Sequence, residues 1–339
     1  MRLAELDYSL PPALIAQEPL VDRDQARLLV VNRDTGRLEH SHFHRIGGYL
    51  REGDLLVLND TRVLAARLRA RKTSGGLVEL LVVRRVGEPA DGWLALTRSG
   101  RPLRPNSELL LNSGARLRVV FCPRPGRVIV NSLDAQPMEQ LLAEHGELAL
   151  PHYIRRSVAA SDAAQYQTVY AANPGAIAAP TAGLHFTEQL LSRLADRGIQ
   201  AARLTLHIGP GTFAPIRHET VERHSMEAER YLIPPAALAA IEHARRTGGR
   251  IIATGTSTVR ALESYAITGS AQGDTGLFIL PGFRFKLVEG MITNFHLPRS
   301  TVLALVMAFG GRELVLKAYR EAIRLRYRFL SYGDAMLIL

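Results

Sequence analysis

The chain reads as an α/β main domain built from both ends of the sequence and interrupted by an inserted all-β domain. Three observations predict this. A short apolar run at residues 54–58 has the length and composition of a strand buried on both faces. At 250–254, 255–258 and 259–265 a strand, a turn and a helix follow one another, the repeating unit of an α/β sheet. Between Val63 and about residue 150 the pattern changes to five or six short strands separated by proline and glycine, as in a small barrel or sandwich. The expected division is 1–62 with 150–339 for the α/β domain and 63–149 for the insert.

Along the first part, Pro11 and Pro12 open a short helix over 13–17. A strand at 27–32, a turn at Asp34, Thr35 and Gly36, and a returning strand at 37–42 make a hairpin. Residues 43–50 are helical. The buried strand at 54–58 runs straight into Asn59, Asp60, Thr61 and Arg62, polar groups at a strand end that can face a ligand crevice. Asp60 can orient an amine or a base edge, and Arg62 can hold a carboxylate or phosphate bidentately. The same residues also read as a turn with an internal Asp–Arg pair.

In the insert, Arg67, Arg69 and Arg71 alternate with Leu68 and Ala70, so a strand places all three arginines on one face. Strands follow at 77–85, 93–97, 108–111, 116–121 and 127–131, then a helix over 138–145 leads back. Tyr166 offers a stacking face for a base or packs at a domain junction.

Three loops then carry the chemistry. The first, 173–187, has two prolines, two glycines, Thr181, Gly183 and His185, and turns into a helix from Glu188. Thr187 is its N-cap, with Phe186 and Leu191 spaced for a hydrophobic staple. The second follows a strand at 204–208 that carries His207, and holds Gly209, Gly211 and Thr212. The third, 291–301, ends a strand with Asn294 and His296. A histidine in each suggests one shared pocket; the first loop by itself also reads as a tight strand-to-helix turn with a satisfied surface histidine. After a helix at 237–246, the turn before Val259 points N–H groups, Thr256 and Arg260 towards an anion, or is merely a capped helix. Residues 270–274 read as a loop and 277–280 as a strand. The final helix, 313–328, puts Lys317, Arg320, Arg324 and Arg328 on one face, opposite Leu314, Ala318, Ala322 and Ile323. Tyr332 and Asp334 lie in the closing segment.

The chain has 339 residues, 47% of them hydrophobic, enough to bury a large core. Forty-two Lys and Arg against 32 Asp and Glu leave a formal net charge of +10, which favours a polyanionic partner. Cys122 is the single cysteine, which excludes a disulfide framework and a multi-cysteine metal site. The first residues are acidic and lack a signal-peptide core, and no apolar run reaches the roughly 20 residues of a membrane span. A soluble, cytoplasmic monomer without a metal is expected.

These segments, in this order, resemble the S-adenosylmethionine:tRNA ribosyltransferase-isomerase family of queuosine biosynthesis. The resemblance rests on residues 7–11, 27–29, 53–63, 166–170, the three loops and 327–336, and spans nearly the whole chain. Two positions depart from it: after Ser225 and Met226 the family usually has a histidine, where this chain has Glu227, and beside Glu229 it usually has an aromatic residue, where this chain has Arg230. The resemblance implies a β-barrel inserted into an α/β domain. It implies that the ribosyl part of S-adenosylmethionine is transferred to the amine of 7-aminomethyl-7-deazaguanine at the tRNA wobble position. Epoxyqueuosine-tRNA, adenine and methionine are the products. A base must take a proton acidified by the sulfonium, the amine must be neutral, and adenine must be protonated as it leaves. His185, His207 and His296 are candidates for this work, with His224 beside them. Asp60 and Asp334 would orient the amine; Arg62 and Arg260 would hold anions. Asn59, Thr61, Thr181, Gly183, Gly209, Gly211, Thr212, Thr256, Asn294 and Tyr332 complete the expected substrate site. Arg67, Arg69, Arg71, Lys317, Arg320 and Arg324 are expected on the anticodon stem-loop, with the base flipped into the pocket. Two other functions fit parts of the sequence. A methyltransferase is disfavoured because Gly209 and Gly211 do not complete a G-x-G-x-x-G fingerprint before a helix. A non-catalytic RNA-binding protein leaves the three histidine loops unexplained.

Overall fold

The computed structural model describes residues 1–87, 92–134, 136–213 and 216–339. Strands β1 (Arg27–Val31) and β2 (Leu38–His42) form the expected hairpin. Its turn is closed by Asn32 Oδ1, which accepts from the Thr35 amide and hydroxyl at 2.8 Å each. A 3₁₀ helix, Phe43–Tyr49, follows and buries Phe43 and Ile46. Strand β3 (Leu55–Asn59) is buried at every residue, and β4 (Thr61–Val63) leaves it after one residue.

The insert is a closed antiparallel barrel. Its strands are β5 (Arg67–Lys72), β6 (Leu77–Val86), β7 (Gly92–Ser99), β8 (Glu108–Leu111), β9 (Arg116–Arg124) and β10 (Arg127–Ser132), joined in the order β10-β7-β6-β5-β8-β9. Leu68 and Ala70 face inward with Val78, Leu80, Val82, Leu117 and Val128, and helix α1 (Met138–His145) adds Met138, Leu141 and Leu142 to the same core. Closure removes both sheet edges, which a sandwich of strands this short would leave open.

The chain returns through α2 (Asp162–Gln165) and β11 (Asn173–Ala176), which pairs in parallel with β4. Thr187 Oγ1 accepts from the Leu190 amide at 3.1 Å and starts α3 (Glu188–Ala195). Then come β12 (Gln200–Leu206), β13 (Glu229–Leu232), α4 (Pro235–Arg246), β14 (Ile251–Thr254), α5 (Thr256–Thr268), β15 (Gln272–Thr275), β16 (Gly290–Asn294), α6 (Thr301–Gly310), α7 (Arg312–Arg324) and β17 (Ala335–Ile338). One nine-stranded sheet runs β15-β13-β12-β3-β14-β16-β17-β1-β2. Its four central strands, β12, β3, β14 and β16, are parallel. Alternate residues face opposite layers: Leu55 and Val57 pack with Ile241, Val259 and Leu303, whereas Leu56 and Leu58 pack with Phe43, Leu190 and Leu194.

Four local expectations change. The helix over 13–17 is a single 3₁₀ turn, Pro12–Leu14, because Ile15 and Ala16 extend and pair with Phe329. The edge strand lies at Gln272–Thr275, pairing with β13, and not at 277–280, where the Leu277 carbonyl instead accepts from Arg260 Nε at 3.0 Å. Helix α7 stops at Arg324, and Arg326 takes a left-handed φ of 56°. Arg328 is therefore off the helix. Helix α6 is not anticipated by the sequence reading at all.

Candidate active site

The parallel order of the central strands puts their carboxyl ends side by side. From those ends leave Asp60 to Arg62 (after β3), His207 to Gly211 (after β12), Gly255 and Thr256 (after β14) and Phe295 to Leu297 (after β16). In open α/β sheets ligands bind at this edge. The loops do converge: Thr181, Ile208, Thr256, Asn294 and His296 line one small cavity of about 60 Å³.

The three histidines do not share it, and the expectation of a common pocket is corrected. His296 faces this cavity; His185 lines a second, of about 40 Å³, with Arg23 and Tyr332. His207 opens into a third, a cleft of about 930 Å³ between the barrel and the sheet domain. They part because each leaves its strand at a different position: His185 lies on the 3₁₀ turn Thr181–His185, packed 5.0 Å from the Phe43 ring, while His207 directly follows the end of β12. Ile208 lines both the first cavity and the cleft, so these two are neighbours across one side chain. Of these three, the cleft alone has the several hundred Å³ that a nucleoside-sized ligand requires.

His207 is held from behind. Its Nδ1 lies 2.8 Å from Thr61 Oγ1, and a Cβ on Gly175 would sit 2.7 Å from the ring, so the Gly175 backbone forms a close wall. Desolvation, then the charge of Arg230, lowers the His207 pKa, with Asp60 opposing. The ring is thus kept neutral and competent as a base. His185 is buried and accepts at Nε2 from Asn294 Nδ2 at 3.1 Å; the amide is turned this way by Thr181, whose hydroxyl donates to Asn294 Oδ1 at 3.0 Å. Burial pushes the His185 pKa down to about 4. His296 is likewise lowered by burial to about 4, and its Nε2 lies 2.7 Å from Thr293 Oγ1. His224 is lowered too, by desolvation and by the neighbouring His218, and its ring packs on Phe278 5.6 Å away.

A family profile described as "Queuosine biosynthesis protein" matches residues 3–338. The protein of Geobacter sulfurreducens named S-adenosylmethionine:tRNA ribosyltransferase-isomerase is 50% identical, with 100% of both chains covered. The protein of that name from Moorella thermoacetica is 48% identical, also with 100% of both chains covered. A crystal structure of S-adenosylmethionine tRNA ribosyltransferase from Thermotoga maritima, 37% identical, superposes with a TM-score of 0.57 over 99% of this chain and 100% of that one. The chain belongs to the queuosine biosynthesis protein family.

Within this queuosine-family chain, several expected ligand-binding residues are committed to the fold. Asn59 is saturated: Nδ2 donates to the Leu206 carbonyl at 2.9 Å and to Ser257 Oγ at 3.1 Å, while Oδ1 accepts from the Thr61 and Leu206 amides. Asp60 accepts from Thr205 Oγ1 at 2.6 Å and from Asn173 Nδ2 at 3.1 Å, behind the cleft wall. Arg260 is buried against Glu229 and donates to the Thr275 and Leu277 carbonyls at 3.0 Å, so it does not reach the cavity below Thr256. Asp334 accepts from the Arg27 and Arg328 amides at 2.9 and 2.7 Å and pairs with the Arg27 side chain. Tyr332 donates to Asp162 at 3.0 Å. Gly183 packs under Tyr170, where a Cβ would fall 2.1 Å from the hydroxyl. Tyr166 is fully buried, edge-on to Tyr332 5.8 Å away, and offers no stacking face. Arg62 is exposed and donates to the Ala171 carbonyl at 3.4 Å.

Gly209 and Gly211 line the cleft, and the Gly209 amide donates to Glu229 at 2.8 Å. Thr212 lies on the 3₁₀ turn Pro210–Phe213, its side chain outside the described part, as are Ala214 and Pro215 at the end of that loop. The barrel arginines do share one face, but Arg67 pairs with Glu79 at 3.8 Å and Arg69 with Glu147 at 3.0 Å. Lys317, Arg320 and Arg324 are exposed on α7; Lys317 donates to the Gly36 carbonyl at 3.0 Å and Arg324 pairs with Glu321 at 2.7 Å. Sequence reading missed the other wall of the cleft, formed by Arg84, Arg85, Trp93, Arg124 and Arg127 of the barrel. Their common side becomes visible only once the strands close. Among the described residues no group of three or more His, Cys, Asp or Glu side chains is placed to hold a metal ion, and no helix is long and apolar enough to cross a membrane.

Proposed function

We propose that this chain transfers and isomerises the ribosyl moiety of S-adenosylmethionine onto 7-aminomethyl-7-deazaguanine at the wobble position of tRNA. The products are epoxyqueuosine-tRNA, adenine and methionine. The observation that carries the reading is the full-length match to relatives bearing that activity in their names, on a fold whose parallel strands end along one edge, where the end of β12 opens into a nucleoside-sized cleft.

The cleft takes the reacting groups. His207 is the acid–base residue: its Nδ1 is engaged by Thr61, which leaves Nε2 for a proton on the substrate side. The small cavity across Ile208 takes the amino-acid end of the cosubstrate. There Thr256 and the amino end of α5, which has no side-chain cap, favour a carboxylate. Asn294, fixed by Thr181 and His185, and His296 form the opposite wall of that cavity. Asn59, Asp60 and Thr61 act as positioning residues beneath His207 and the strand ends. The protein works as a monomer on the anticodon stem-loop, whose wobble nucleotide leaves the stack to enter the cleft; Arg71, Lys317 and Arg320 hold phosphates farther out.

The test is incubation with S-adenosylmethionine and tRNA bearing the 7-aminomethyl base, with the small products separated by chromatography. Stoichiometric adenine and methionine are expected. Release of S-adenosylhomocysteine with methylated RNA would replace this reading with a methyltransferase.

A further inference from the structure

Two arginines of the barrel and one glutamate of the sheet domain meet across the cleft. Arg124 ends β9 and Arg127 begins β10, so both project from one hairpin. The Glu227 carboxylate, two residues before β13, accepts from Arg124 Nη2 at 3.0 Å and from Arg127 Nη2 through the same oxygen, Oε1. The bridge is partly open to solvent: the side chains of Arg124 and Glu227 are 59% and 34% exposed and that of Arg127 18%. The Arg124 pair, the more exposed of the two, is the weaker and the more easily exchanged. Arg84 and Arg85 stand on the same wall of the cleft, which Glu139, Glu229 and Asp274 also line. An anionic oxygen between two guanidinium groups is also the arrangement in which arginines hold a phosphate.

We propose that Arg124 and Arg127 form a binding site for an RNA phosphodiester, and that Glu227 is its built-in competitor, displaced when nucleic acid enters the cleft. The inference rests on the tRNA reading above and assigns the inner end of the RNA path. Glu227 packs against Gly211, where a Cβ would lie 2.9 Å from Glu227 Cβ.

Binding of tRNA carrying the 7-aminomethyl base, followed by fluorescence anisotropy over a series of KCl concentrations, tests this. Glu227→Gln should tighten binding by up to roughly fivefold, the exchange value of an exposed ion pair. Arg124→Ala with Arg127→Ala should weaken binding and lower the salt slope by about 0.7–0.9 for each phosphate no longer neutralised. Arg124→Lys with Arg127→Lys should restore the slope, which a loss of folding in the alanine variant would not explain. The gain from Glu227→Gln should vanish when both arginines are already alanine. An equal gain in that triple variant reduces Glu227 to general charge repulsion and overturns the proposal. Indifference of the arginine variants overturns it as well, with the tRNA reading intact. Wild-type protein that fails to bind tRNA at low salt overturns the tRNA reading together with this site.

Discussion

Thr61 Oγ1 lies 2.8 Å from His207 Nδ1 and turns the other ring nitrogen towards the cleft. Thr61 owes its place to β4, which β11 grips in parallel, and Gly175 of β11 closes over the ring. Thr61→Val keeps the shape and removes the hydrogen bond. Adenine release should fall roughly 10- to 100-fold in kcat, the usual cost of losing the group that orients a catalytic imidazole. KM should stay within about twofold. A change confined to KM would remove His207 from acid–base work.

Acid should unfold the protein through His185. Its folded pKa is about 4, against about 6.5 in an unfolded chain, so between those values the unfolded state binds the proton and the folded state does not. Stability is therefore complete above about pH 6.5 and falls as the pH drops towards 4, by on the order of 3 kcal/mol from this residue. Urea titrations at several pH values should show this decline; His296, lowered equally, adds its own share, so His185→Gln should remove about half of it. An unchanged pH dependence in that variant would place the acid sensitivity elsewhere.

Arg260 and Glu229 form a buried ion pair that also fastens Gly209 and the edge strand β15. Arg260→Ala leaves the buried Glu229 carboxylate without its counter-charge. A loss of about 3–5 kcal/mol is expected, measurable as a lower urea midpoint. A variant as stable as wild type would restore Arg260 as a candidate ligand for an anion.

The basic residues of α7 can be weighed one by one. Lys317 and Arg320 are exposed, whereas Arg324 is already shared with Glu321. Neutralising all three should reduce the salt slope of tRNA binding by about 2 and not by the full count. An unchanged slope means that this helix faces away from the RNA.

Much of this architecture is legible in the sequence because its signals are local. Leu68 and Ala70 between arginines mark an inward-facing barrel strand, Thr187 announces α3, and the apolar run Leu55 to Leu58 reads as a strand buried on both faces. Helix α6 is nearly all buried, so it has no polar face to betray its period; only Ser300, which caps it through Leu303 at 3.2 Å, marks its start. The site is less legible than the fold. That polar loops gather at one edge follows from parallel strands, but which side of a loop a histidine takes depends on neighbours remote in sequence, as Phe43 does for His185. Asn59, Asp60, Arg260 and Asp334 look like ligand groups by type and position, and tertiary hydrogen bonds use them up instead. Partners such as Leu206, Thr205, Glu229 and Arg27 lie too far along the chain for spacing to suggest them.

The position of β17 has a consequence for synthesis. It fills the slot between β16 and β1, so on the ribosome β1 and β2 must wait for residues 335–338 before they can join the main sheet. The barrel is contiguous, from Arg67 to Ser132, and can close long before that. Nascent chains should therefore protect the barrel from protease early and the β1–β2 hairpin only once β17 has emerged, and loss of residues 335–338 should strand that hairpin permanently.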